Sequence, residues 1–149
     1  MNLDKKYDLS SKNICLVECG GKNNIHIFMR ILNRFRIPYI VLHDFDSISF
    51  PEDKPEKTEE EKQRLKMFKE NAFIRAALDE SVGRIIVSNP EFEAITEVTK
   101  NQTEKQGKIQ AAYEKYDNLD PRSYPSKLME VIDLVIDWSK PGSIFMTLS

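Results

Sequence analysis

Two short apolar runs, each closed by an acid, constrain this chain more than any other feature of its sequence. Residues 14–18 read ICLVE and residues 39–44 read YIVLHD. Runs of branched apolar residues this short predict strands buried on both faces, the habit of a parallel sheet. Between them Cys19-Gly20-Gly21 breaks the first run. Ile25, Phe28, Met29, Leu32 and Phe35 then recur at helical spacing. Pro38 stops that helix and opens the second strand. Strand, glycine turn, helix and strand make a βαβ unit, and such crossovers are right-handed.

The rest of the chain extends this pattern. Residues 47–61 are polar, with Pro51, Pro55 and a glutamate run, and predict a surface loop leading into a solvated helix start. Residues 62–79 predict a helix with Leu65, Phe68, Ala72 and Ala76 on one stripe. Gly83 precedes RIIVS, a third strand, and NPEFEAITEV opens a helix that Asn89 caps with Pro90 in its first turn. A helix is expected over about 108–116, and another over SKLMEVIDLVIDW, with Leu128, Val131, Val135 and Trp138 on one face and Ser126 as its cap. Pro141-Gly142 ends it, and IFMTLS is a short apolar tail, an edge strand or a contact surface. The expectation is a compact α/β fold with a mostly parallel sheet of about four strands flanked by helices. It forms a single domain over 1–149, with its core at about 13–138, a charged loop at 47–61 and a tail at 139–149.

A chain of 149 residues can bury one real core, and 40% hydrophobic against 31% charged residues excludes intrinsic disorder. No apolar run reaches membrane-spanning length, and MNLDKKYDLSSKN lacks the apolar centre of a secretory signal, so a cytoplasmic location is expected. Cys15 and Cys19 have no second pair to complete a zinc site and fit a reducing compartment. A net charge of −2 argues against nucleic-acid binding through bulk positive charge. Local contacts, or a partner chain that supplies the basic surface, stay open.

In an open parallel sheet, ligands bind outside the carboxyl ends of the strands. Glu18 ends the first run, Asp44 and Asp46 end the second, and Glu91 and Glu93 follow the third. Residues two apart on an extended segment point to one side, so Asp44 and Asp46 can converge on one cation, with Glu18 adding a third oxygen ligand. Mg²⁺ keeps several waters and needs only two or three carboxylates. Gathering such acids without a cation is costly, because each raises the others' pKa. His43 abuts Asp44, but alternation turns it away from the aspartates, and His26 is a surface or packing residue. Gly20-Gly21 reads as a tight turn, Glu91 as a helix-dipole residue and Trp138 as core.

Residues 14–46, ICLVECGGKNNIHIFMRILNRFRIPYIVLHDFD, resemble the Toprim domain of topoisomerases, primases and OLD-type nucleases. That family carries a glutamate after a hydrophobic strand and an Asp-x-Asp after the next, matched here by Glu18 and by Asp44 and Asp46. Later segments are most similar to the OLD (overcoming lysogenization defect) type. RIIVSNPEFEAI resembles its third strand and Phe-Glu element, which carries Ser88 and Glu93 into the metal region. QGKIQAAYEKY resembles the segment with a functional lysine, here Lys108. The resemblance covers roughly residues 13–137. It implies a Toprim fold and cleavage of DNA phosphodiesters with one or two Mg²⁺ or Mn²⁺ ions. Glu18 and Asp44 would be primary ligands with Asp46 close by, Glu93 and Ser88 would serve a second ion, and Lys108 would neutralise charge on the phosphate.

Two positions depart from the family pattern. The usual glycine after the motif glutamate is Cys19, and the acid four positions after it is Lys22. A lysine there can hold a phosphate but cannot ligate a cation while protonated. The ATPase domain usual in OLD-type proteins is absent from these residues, which points to a separate ATPase partner, to a larger protein or to a small standalone member. A Toprim module with lapsed catalysis, docking on a partner or nucleic acid, is the alternative. A phosphatase or receiver domain also uses strand-end aspartates and Mg²⁺, but each wants its acidic pair at the first strand.

Overall fold

The structure is a computed structural model of the protein and describes residues 10–88, 92–99, 108–117, 119–136 and 145–148. Its elements run in the order α1 (Lys22–Phe35), β1 (Tyr39–Asp44), α2 (Glu59–Ala76), β2 (Gly83–Ser88), α3 (Phe92–Thr96), α4 (Lys108–Tyr116), α5 (Ser126–Ile136) and β3 (Phe145–Leu148), with single 3-10 turns at Ser10–Lys12 and Pro121–Ser123. The sheet has the order β1-β2-β3 and both pairings are parallel. Tyr39 lies opposite Gly83 and Asp44 opposite Ser88, while Ile85 lies opposite Phe145 and Ser88 opposite Leu148. The apolar tail thus becomes an edge strand, one of the two outcomes its composition allows.

The strand expected over residues 14–18 is not part of this sheet. Residues 14–19 carry no regular structure, and Leu16 and Val17 are 77% and 63% exposed. Branched apolar composition expresses a preference for burial but supplies no partner backbone. Among the described residues the sheet therefore has three strands rather than four, and β1 pairs on one side alone. The first strand-to-strand crossover is β1-α2-β2, not the unit read over 14–46.

Glycines start α1. Gly20 and Gly21 hold φ of +67° and +131°, values that L side chains rarely adopt. The Asn24 amide donates to Gly21 O, and its side chain donates to Cys19 O at 3.0 Å, which fixes the turn. The helix ends at Arg36 in the left-handed conformation, two residues before Pro38. α2 begins three residues earlier than its apolar stripe predicts, because Thr58 and Glu61 form a reciprocal capping box. Its buried side also differs from expectation. Ile74 is fully buried and Ala77 follows it inward, while Ala72 and Ala76 are exposed.

β2 lies between the two core layers. On one face Ile85 and Val87 pack with Ile25, Met29, Tyr39, Ile74 and Val82 under α1 and α2. On the other, Ile86 packs with Ile95 and Val131, joined by Ile40, Leu128 and Val135, under α3 and α5. Each fully buried Ile or Val contributes on the order of 1.5–3 kcal/mol. α3 stops at Glu97, whose φ is +51°. Lys115 of α4 donates to Thr96 O and Glu97 O at 3.1 and 2.8 Å, and the Tyr116 hydroxyl donates to Thr96 O. A cation on the last carbonyls of a helix also complements its dipole. Asn89, Pro90, Glu91 and Trp138 lie outside the described residues. No described helix is long and apolar enough to cross a membrane.

Candidate functional site

Parallel register places the last residues of β1 and β2 side by side. Asp44 is half-buried and lies opposite Ser88, which is 1% exposed. Register partners in parallel strands project from the same face, so both side chains leave the sheet together at its carboxyl end. Among the described residues Ser88 Oγ is buried with no hydrogen-bond partner. A buried hydroxyl left unsatisfied costs on the order of 1–3 kcal/mol, so a polar ligand at this end of the sheet would recover that cost.

Beyond Asp44 the backbone leaves the strand. The Phe45 amide still donates to Ser88 O at 2.9 Å, but Asp46 has φ +55°. The alternation expected to aim Asp44 and Asp46 at one point therefore ends at Asp44, and the left-handed turn sets the direction of Asp46 instead. Side chains hold this turn. Asn71 and Arg64 of α2 donate to Phe45 O and Ser47 O, each at 2.7 Å. His43 Nδ1 lies 2.9 Å from Asp44 O. A carbonyl only accepts, so Nδ1 carries the proton in this contact. Burial pushes the His43 pKa below the ordinary imidazole value, which keeps the ring neutral at pH 7.

The strongest tie comes from Lys22 in the first turn of α1. Its ammonium donates to Asp44 O at 2.6 Å, to Asp46 Oδ2 at 2.8 Å and, most weakly, to Phe45 O at 3.4 Å. The Lys22 side chain is 9% exposed and that of Asp46 33%. An ammonium has three N–H donors, and here each has an oxygen. The phosphate-holding role that its position suggests would require these bonds to break.

The remaining expected residues are spread out. Glu18 is exposed in the extended segment before the glycine turn. Glu93 is half-buried in the first turn of α3. Lys108 is the first residue of α4, and its side chain lies outside the described residues. His26 packs near Phe73 and lies 3.7 Å from Glu70. Among the described residues no group of three or more His, Cys, Asp or Glu side chains is placed to hold a metal ion. Asp44 beside the orphaned Ser88 hydroxyl still fits one hard cation that retains most of its waters. Asp46 Oδ2 is already engaged by the Lys22 ammonium, which competes with any cation for that oxygen. Reading the sequence missed Asn71, Arg64 and the ammonium tripod, although the helical position of Lys22 just past two glycines was a usable signal.

Comparison with known proteins bears on the class of the chain. Residues 1–46 match the family described as "Overcoming lysogenization defect protein-like, TOPRIM domain". The chain is also 23% identical over 136 residues to an OLD nuclease of Thermus scotoductus, a match that covers 91% of this chain and 25% of that protein. The two matches support a Toprim domain of the OLD type, and the chain spans about a quarter of the length of the curated relative it matches.

Proposed function

We propose that this chain is the nuclease domain of an OLD-type system and hydrolyses DNA phosphodiesters with a divalent ion, Mg²⁺ or Mn²⁺, at the carboxyl ends of β1 and β2. The observation that carries the reading is the in-register pair of Asp44 and the unpartnered Ser88 hydroxyl. The matches to an OLD-type Toprim family and to an OLD nuclease support it. Asp44 and Ser88 would hold the ion, and Glu18 would reach it from the segment before α1. When bound, such an ion polarises a phosphate oxygen and lowers the pKa of its water. The chain's own residues do the positioning. Lys22, Asn71 and Arg64 fix the turn that follows Asp44, so the carboxylate is presented from a rigid strand end. Glu93 in the first turn of α3 and Lys108 at the start of α4 belong to this proposal through the family resemblance, Glu93 with a second ion and Lys108 with the phosphate. An ATPase supplied by a partner, or by further parts of a longer protein, would control access to DNA.

The test is a plasmid nicking assay with Mg²⁺ or Mn²⁺ on the wild type, Glu18→Ala and Asp44→Ala. Loss of a strand-end ligand is expected to lower the rate by at least about 100-fold, the scale of a lost transition-state contact. Cleavage that persists in both variants would falsify the reading. The second reading, a Toprim module with weakened catalysis that binds a partner or nucleic acid, is favoured by the ammonium that occupies Asp46. Metal-independent binding of DNA with no cutting on any substrate would select it.

A further inference from the structure

The three acceptors of Lys22 have a common character. Two are backbone carbonyls and one is a carboxylate, so all are oxygens, and they converge on one point from three consecutive residues. Carbonyl and carboxylate oxygens are what hard divalent cations take as ligands. The stretch is also rigid: Asp46 sits in a left-handed conformation, and Phe45 O accepts a second bond from Asn71 at 2.7 Å. These features describe a preformed oxygen cage. The occupant is nearly buried and carries one positive charge at the end of a side chain.

We propose that Lys22 is a tethered cation whose ammonium fills the cage made by Asp44 O, Phe45 O and Asp46 Oδ2 and keeps a divalent ion out of it. Exclusion follows from Coulomb repulsion at contact distance and from the ammonium's hold on the three oxygens of the cage. Asp46 is thereby removed from the metal ligands, and Lys22 acts as a positioning residue that neutralises it. The corollary, that the strand-end site works with a single ion, rests on the nuclease reading above; the exclusion itself does not.

The test counts bound Mn²⁺ by electron paramagnetic resonance on the full chain, with the metal alone as probe. Lys22→Met removes the ammonium and keeps the bulk. It is expected to bind one Mn²⁺ per chain more than the wild type, and Lys22→Met with Asp46→Asn is expected to return to the wild-type count. An equal count in wild type and folded Lys22→Met overturns the proposal. Should Lys22→Met fail to fold, nitrogen-15 spectra of the wild-type lysine ammonium groups decide it. The Lys22 signal is expected to stay protected from water exchange and unshifted at saturating Mg²⁺, and its loss on Mg²⁺ addition would show displacement and overturn the proposal. The two readings fail separately. A wild type that binds no ion and cuts nothing, beside a variant that gains one ion, sinks the nuclease reading alone. A wild type that loads an ion on Asp46 and cuts DNA sinks the tethered cation alone.

Discussion

Single side chains in this fold show their environment through their protons. Asp79 accepts from the Ser81 hydroxyl and the Ser81 amide, and Arg36 lies 3.0 Å away, so its pKa is held below the ordinary 3.8. A carboxyl depressed on folding adds stability that is present above its unfolded pKa and lost as pH falls through the lower folded value. Urea midpoints should therefore drop on acidification below about pH 4, and Asp79→Asn should flatten that drop while lowering the midpoint at pH 7. The two cysteines should separate in the same way. Cys15 is exposed, whereas Cys19 packs against the core and burial pushes its thiol pKa up. Thiol labelling at pH 8 should reach Cys15 first, and equal rates would contradict the packing of Cys19. At this scale the sequence was legible where chemistry is local, as at Asp44, which closes β1, whereas Glu18 closes a run that is not a strand. It was not legible where a distant donor decides the matter. Nothing near Asp46 in the chain announces that Lys22, from the first turn of α1, will occupy it.

At the scale of elements, boundaries follow caps rather than stripes. Thr58 accepts from the Glu61 amide at 3.2 Å, and Glu61 accepts from the Thr58 amide at 2.9 Å. Thr58→Ala should lower stability by about 1 kcal/mol, read from the thermal midpoint, and Glu61→Ala by a smaller amount. Gly83 is demanded by packing rather than by conformation. A Cβ there would lie 2.2 Å from the Tyr39 ring, in the strand pair that supports Asp44. Gly83→Ala should cost about 1–3 kcal/mol or displace Tyr39, visible as increased exposure of that ring. β1 and β2 were readable because Pro38 and Gly83 bracket runs whose neighbours in space are each other. Residues 14–18 share that composition yet stay outside the sheet, since periodicity reports what a segment would bury and not whether a partner edge reaches it. The capping box was equally visible in the sequence, as a threonine three residues before a glutamate, but the glutamate run around it read as loop.

Across the whole molecule, protection and exposure are unevenly shared. β2 is paired on both sides and buried on both faces, whereas residues 14–19 have no regular pairing. Hydrogen exchange should find the amides of Ile85, Ile86 and Val87 among the slowest and those of Cys15, Leu16 and Val17 fast. Slow exchange at the latter would restore them to a strand. Ile27, Ile31 and Phe35 are 49%, 50% and 69% exposed and follow one another along one side of α1. Ile31→Lys should reduce binding of an apolar dye and leave the melting temperature within about 1 °C, because the side chain is half exposed and is not one of the buried core residues.

The central position of β2 also has a consequence in time. Its two neighbours come from distant parts of the chain, Tyr39–Asp44 before it and Phe145–Leu148 long after it. On the ribosome, the β1-α2-β2 half can assemble early, but the second edge of β2 then waits, uncovered and apolar, until residues 145–148 emerge. Synthesis arrested between the two would leave a half-sheet with an open, adhesive side, and residues 145–148 act as the latch that closes it.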